Sequence, residues 1–436
     1  MKKALFPALC VLIASSLLNA QSAPQVTHVP KTKPSAATIH SIAIVIDTHA
    51  DTPQRLVDEN YDLAMPLNGG QLNLDAAKQG NLGAEFFSIW VEPGVYKDHY
   101  AKRTLELIDS VYQQAAKHPD KMRMAFSAAD IVAIHKEHKL AALMGIEGGH
   151  SIENSIPLLR DYYRLGVRYM TLTWSNSLDW ADSSGVIDPK NPDDPKVPHT
   201  KEGLTEFGKD VVYEMNRLGM MVDISHVADK TFYRTLVISR APLIASHSAA
   251  RALCDAPRNM TDDMLRAVAI NGGVVQVNFY SGFISQAYRD AAQAQKPEVD
   301  KAIQDLKDKA KAEGREVSYG DMEGLQRSYA DKIPRPPLSA LIDQIDHVAK
   351  VAGIDHTGLG SDFDGVSGQL PEGIDSAADL PKITAALVER GYSTADCDKI
   401  LGGNLLRVFR DVERVSKELQ AEGRPRITEK QPFDKK

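Results

Sequence analysis

Eight short apolar runs, most of them followed by a stretch of helical periodicity, govern what this chain can fold into. The runs are Ile42–Thr48, Gly83–Val91, Leu140–Gly145, Arg168–Thr173, Met220–Ser225, Pro242–Ser246, Gly273–Phe279 and Thr357–Ser361. Between them lie amphipathic stretches such as Tyr100–Lys117, Ser155–Leu165, Leu204–Leu218, Lys230–Ser239, Thr261–Ile270 and Leu338–Ala352. Continuously apolar strands separated by helices pair in parallel and are covered on both faces. Eight such units favour a closed (β/α)8 TIM barrel over an open doubly wound sheet. An open sheet would carry a Gly-rich dinucleotide or phosphate turn after an early strand. Gly145-Ile146-Glu147-Gly148-Gly149 has the spacing of neither fingerprint. The expected fold class is therefore α/β.

The rest of the 436 residues divides around that barrel. Residues 1–20 read as a signal peptide: Lys2 and Lys3 precede an apolar stretch from Ala4 to Leu18, and Leu18-Asn19-Ala20 offers a small-residue cleavage site. About fifteen apolar residues are short for a membrane span, and an uncleaved anchor is the alternative. Residues 21–40, with Pro24, Pro30 and Pro34, read as a flexible lead-in. The barrel domain is expected over 41–416 and a charged tail over 417–436. Within the barrel, 286–332 breaks the rhythm with an Ala/Lys/Asp/Glu/Gln-rich helical insertion between strands 7 and 8. It reads either as solvated surface elaboration or as a lid or dimer arm over the barrel mouth. A formal charge of −7 gives no footprint for nucleic acid. Three Cys, one of them inside the leader, exclude a disulfide scaffold and a thiolate zinc site, though Cys254 and Cys397 could pair in an oxidising compartment.

Barrel enzymes place their chemistry at the carboxyl ends of the strands. Here the first run ends in Asp47-Thr48-His49-Ala50-Asp51 and the third in Gly145-Ile146-Glu147-Gly148-Gly149-His150. The fifth ends in Asp223-Ile224-Ser225-His226, the sixth in Ser246-His247-Ser248, and the eighth in Ser361-Asp362-Phe363-Asp364. Alternate strand residues share a side, so His49 and Asp51 can point the same way. Any one of these histidines taken alone reads as a hydrogen-bonded structural residue. Together they offer imidazole and carboxylate donors of the kind Zn²⁺ accepts, in a number that exceeds one tetrahedral ion and suggests two metals sharing a carboxylate.

At these residues the chain resembles the membrane dipeptidase (renal dipeptidase) family, peptidase family M19, whose members are binuclear zinc hydrolases on a TIM barrel. The marks are Asp-Thr-His-Ala-Asp (47–51), Gly-Ile-Glu-Gly-Gly-His (145–150), Tyr-Met-Thr-Leu-Thr (169–173), Trp-Ala-Asp (180–182), Asp-Ile-Ser-His-Val (223–227), Ser-His-Ser-Ala (246–249), Arg-Asn-Met-Thr-Asp-Asp (258–263), Val-Asn-Phe-Tyr (277–280) and Gly-Ser-Asp-Phe-Asp-Gly (360–365). The resemblance implies two zinc ions, one on His49 and Asp51 and one on His226 and His247, with Glu147 bridging them. It implies that Arg258 pairs with the substrate carboxylate and that Asp362 handles the proton. Two positions depart from the mammalian pattern: Trp174 stands where a substrate-contacting His is found, and Phe283 where a Tyr is found. An indole N–H donates but carries no charge.

The implied partners are dipeptides, with tolerance of a D-residue at the C-terminal position, and a homodimer is compatible with the insertion. The implied location is exported, periplasmic or secreted, without a stable membrane anchor, since no apolar C-terminal tail signals a lipid anchor. Two other readings stay open on residues alone. One is an amidohydrolase-type barrel hydrolase, which usually shows His-Xaa-His on the first strand. The other is an exported, non-catalytic binding protein.

Overall fold

The computed structural model describes residues 1, 34–185, 200 and 202–423. The segment read as a leader, apart from Met1, most of that read as a lead-in, and residues 424–436 lie outside the described residues. Among the described residues, nine strands form one parallel sheet: β1 Val45–Ala50, β2 Leu82–Trp90, β3 Met122–Met124, β4 Leu140–Glu147, β5 Val167–Thr171, β6 Met221–Asp223, β7 Ile244–Ser248, β8 Val274–Asn278 and β9 Thr357–Gly360. Their order is β1-β2-β4-β5-β6-β7-β8-β9, with β3 attached only to β4. The ends of that row meet. Ala50 bridges Phe363 in parallel, Asp51 N donates to Phe363 O at 2.7 Å, and Asp362 N donates to His49 O at 3.0 Å. The closure welds the carboxyl ends of the first and last barrel strands, which is where the expected donors stand.

Two boundaries differ from the sequence reading. Ile42 closes a helix, Ala36–Ile42, instead of opening β1. The Ser35 hydroxyl caps that helix by accepting from Thr38 N, and the buried His40 pins it through Thr384 and Gly80 O. The lead-in therefore ends in ordered structure. At the other end, helix Asn404–Ala421 runs past residue 416. Strand β3 carries too few residues to leave a periodic signal. Cys254 and Cys397 are both buried and free, so the possible pairing does not form.

Period-two alternation sorts the strand side chains into two layers. Ile46, Ala84, Phe86, Ala141, Leu143, Tyr169, Met221, Ile244 and Val274 pack in one cluster with the C-terminal helix. Val45, Phe87, Ile89, Ala142, Met144, Ile146, Met170 and Val222 pack with the surrounding helices. Between β8 and β9 the chain runs through helices Ser281–Ile284, Gln286–Ala312, Tyr319–Ala330 and Leu338–Val351. Among the described residues, no helix is long and apolar enough to cross a membrane.

Glu85 interrupts the apolar pattern of β2. It is fully buried, and neither carboxylate oxygen has a hydrogen-bond partner. Burial, with the neighbouring Asp47 carboxyl, pushes its pKa well above the usual carboxylate range. A carboxyl whose folded pKa is raised costs stability once the pH exceeds its unfolded value, at up to about 1.4 kcal/mol per pH unit. Glu85→Gln removes the titrating group and with it that cost. The variant is expected to be more stable than the wild type at pH 8, the gap closing toward pH 4. Urea unfolding across that pH range checks it, and a gap that does not vary with pH would show that Glu85 is not the titrating group.

Candidate metal centre

The donors expected from the strand ends converge on one point. His49 Nε2 lies 3.5 Å from Asp51 Oδ2 and 3.5 Å from Glu147 Oε2. On the other side, Glu147 Oε1 lies 2.8 Å from His226 Nε2 and 3.4 Å from His247 Nε2. The carboxylate of Glu147 thus divides its two oxygens between two donor sets. His226 Nε2 and His247 Nε2 stand 3.0 Å apart, and the His49 and His247 rings stack at 3.7 Å. Donor atoms of His49, Glu147 and His247, and separately of His49, Asp51 and Asp362, lie within 4.8 Å of one another. All these side chains are buried or nearly so, yet His49 Nε2 and Asp51 Oδ1 have no hydrogen-bond partner. Buried polar atoms left orphaned in a group are costly unless something binds them, so the donor set fits divalent metal.

Outer partners fix which nitrogen each ring presents. Tyr169 donates its hydroxyl to Thr48 O at 3.0 Å, so it accepts from His49 Nδ1–H at 2.9 Å and leaves the Nε2 lone pair facing the cluster. Ser246 donates to Asp223 Oδ2 at 2.6 Å and accepts from His247 Nδ1–H at 2.7 Å, with the same result. Asp223 is itself held by Ser225 N, Ser246 N and the Thr171 hydroxyl. Such outer contacts orient metal-binding imidazoles and raise their basicity. Burial, with the charge of Arg258, takes the His226 pKa down to about 4, which keeps the ring neutral. Burial opposes the charge on Glu147, but it is held well below the usual carboxylate range by the imidazole contacts around it, including those of His226 and His247.

Tyr169 reaches His49 across the barrel because β4 places a glycine in its path. A methyl at Gly145 would stand 1.9 Å from the Tyr169 ring. Gly145→Ala is therefore expected to displace Tyr169, destabilise the fold by about 1–3 kcal/mol and lower metal retention. Thermal unfolding and metal content after dialysis measure both. Unchanged metal retention would show that the Tyr169 contact does not matter to the site.

The remaining expected residues surround this cluster. Asp362 accepts from Asn278 Nδ2 at 2.8 Å, and burial, with the Asp51 and Glu147 carboxylates, pushes its pKa up to about 7. Arg258 donates to Ser248 Oγ at 2.8 Å and His247 O at 2.7 Å, and its guanidinium lies 5.7 Å from the Phe283 ring centre. Trp174 lies 6.4 Å from the His226 ring and 4.9 Å from Trp90. His150, at the end of the same strand as Glu147, turns away and bonds Val91 O. Sequence reasoning missed Tyr169, Asp223, Ser246, Asn278 and Trp90 as parts of the site. Each is a polar or aromatic residue within or ending a strand, and Trp90 pairs with Glu147 in register.

Residues 34–423 match the family model of the membrane dipeptidases, peptidase family M19. The chain belongs to this family. Its relatives include Dipeptidase 3 of Homo sapiens, 33% identical over 387 residues, which are 87% of this chain and 67% of the relative. Dipeptidase 3 of Mus musculus is 34% identical over 381 residues, which are 85% of this chain and 65% of the relative. The chain thus spans about two thirds of the length of these relatives. Among solved structures, the probable dipeptidase PvdM from Pseudomonas aeruginosa superposes with a TM-score of 0.71 at 26% identity, covering 87% of this chain and 98% of that one. A metallo peptidase from Rhodobacter sphaeroides, liganded with a phosphinate mimic of the dipeptide L-Ala-D-Ala, gives 0.66 at 24% identity, covering 85% and 99%. The family is one of metallo-dipeptidases, which accounts for the buried imidazole and carboxylate cluster.

Proposed function

We propose that this protein is a dipeptidase carrying two zinc ions, one held by His49 and Asp51, the other by His226 and His247, with Glu147 shared between them. The observation that carries the reading is the division of the two Glu147 oxygens between the two donor sets, at 3.5 Å to His49 and 2.8 Å to His226. Ions bound there would supply Lewis-acid polarisation of a carbonyl and a water acidic enough to serve as nucleophile at neutral pH.

The protein's own groups do the rest. Asp362, oriented by Asn278, holds and moves the proton between the attacking water and the leaving nitrogen. Arg258, tethered by Ser248 and the His247 carbonyl, receives the terminal carboxylate with a planar fork, which selects dipeptides by length. Trp174 and Trp90 form an aromatic wall beside His226 that excludes water and contacts the substrate side chains. The R. sphaeroides relative, with its L-Ala-D-Ala mimic, supports acceptance of a D-residue at the C-terminal position. The leader read over 1–20 supports export to the periplasm or medium.

A panel of dipeptides with L- and D-residues at the second position, assayed with and without chelator, tests this directly, together with metal analysis expected to approach two ions per chain. Activity that survives complete removal of metal would overturn it. If Arg258 reads the carboxylate, amidated dipeptides should be poor substrates. Arg258→Lys should cost about 10–100-fold in kcat/KM on free dipeptides, because a point charge cannot replace the bidentate fork. Equal rates on free and amidated substrates would remove that role.

A further inference from the structure

The segment between β8 and β9 reaches back over the mouth of the barrel. Helix Tyr319–Ala330 begins with a capping box, in which the Ser318 hydroxyl accepts from Asp321 N and the Asp321 carboxylate accepts from Ser318 N. Arg315 pairs with the same Asp321 at 2.6 Å. Tyr319, the first helical residue, therefore sits on a fixed end and not on a fraying one. Its hydroxyl donates to Asp364 O. Farther along the helix, Glu323 Oε1 and Gln326 Oε1 lie 2.9 and 3.0 Å from Ser367 Oγ, and Arg327 donates to Gly69 O at 2.7 Å. Offsets of four, seven and eight residues from Tyr319 put all four side chains on one helix face.

The turn they meet has unusual backbone needs. Asp362, Asp364 and Ser367 take left-handed φ angles of 64°, 62° and 50°. Such angles cost an L-residue free energy, less for Asp than for most, so contacts around the turn help to hold them. Asp364 is held through its carboxylate by Thr52 and by Gln71 N at 2.6 and 2.7 Å, through its amide by Gln71 Oε1 at 2.6 Å, and through its carbonyl by Tyr319. The next residue packs directly on the cluster: a methyl at Gly365 would stand 2.1 Å from Asp51 Oδ2 and 2.7 Å from Asp362 Oδ1. A small movement of this turn therefore reaches both carboxylates.

We propose that Tyr319 is a positioning residue, whose hydroxyl, acting through the Asp364 carbonyl, sets the turn that carries Asp362 and packs against Asp51. Through the Tyr319 hydroxyl alone, the segment 286–332 then contributes to the site. The kinetic part of this inference rests on the dipeptidase reading; the structural part does not.

The test compares Tyr319→Phe, which removes only the hydroxyl, with Arg327→Ala, which frees the far end of the helix, both in the metal-loaded enzyme. Tyr319→Phe is expected to lower kcat about tenfold with metal content unchanged and KM within about twofold, the scale of one lost hydrogen bond. Arg327→Ala is expected to keep kcat within about twofold of the wild type. Hydrogen–deuterium exchange at the Asp362–Gly365 amides should rise in Tyr319→Phe and stay unchanged in Arg327→Ala. Wild-type kcat in Tyr319→Phe, a change confined to KM, equal losses in the two variants, or unchanged exchange would each overturn the proposal. A wild type that cleaves no dipeptide, with exchange still raised in Tyr319→Phe, would sink the dipeptidase reading and leave the positioning role standing.

Discussion

Replacing Glu147 by Gln is expected to strip metal from both halves of the cluster and to remove turnover. Its two oxygens face different partners, Oε2 toward His49 and Oε1 toward His226 and His247. Gln keeps the shape but offers one neutral oxygen and an NH2 group, so one donor set meets a donor where it needs an acceptor. Losing even an outer partner of a metal ligand typically costs about 10–100-fold in affinity, and loss of the shared ligand proposed here should exceed that. The Glu147→Gln protein should retain fewer than one ion per chain after dialysis and hydrolyse no dipeptide measurably. Circular dichroism would establish that it is folded. Two retained ions with wild-type affinity would show that Glu147 is not shared.

The donor set was legible because a parallel barrel makes sequence position equivalent to spatial position at one end of each strand. His49, Glu147, His226, His247 and Asp362 sit at or just beyond the carboxyl ends of β1, β4, β6, β7 and β9, and closure of β1 against the residues following β9 brings them together. What was not legible depends on pairs of positions. Tyr169 stands in an apolar strand run and looks like core. Its role exists only because Gly145, on the neighbouring strand, leaves room for its ring. Trp90 lies near the end of a run that reads as buried strand, and its place beside Trp174 depends on the loop that follows β5, which no strand pattern encodes. Helix Tyr319–Ala330 docks through Tyr319, Glu323, Gln326 and Arg327, so its contact face is polar. A hydrophobic period cannot reveal such a face, and the charge-rich composition of 286–332 fits a solvated surface equally well.

Chemistry and recognition should separate at Asp362 and Trp174. Asp362→Asn keeps the shape and an oxygen to accept from Asn278, but removes the proton acceptor. Loss of general acid–base help typically costs about 10²–10⁴-fold in rate, and that fall is expected in kcat with metal content retained. Asp362 also lies within 4.8 Å of donor atoms on His49 and Asp51, so metal content decides between its two possible duties. A variant that loses metal together with rate would make Asp362 a ligand and not the proton carrier. Trp174 lies 4.9 Å from Trp90 and 6.4 Å from the His226 ring, the place proposed above for an aromatic wall. Trp174→Ala should therefore alter which dipeptides are preferred, with a rate loss on the best substrate well below that of Asp362→Asn. Turnover abolished on every dipeptide by Trp174→Ala, with Asp362→Asn still active, would exchange the two roles.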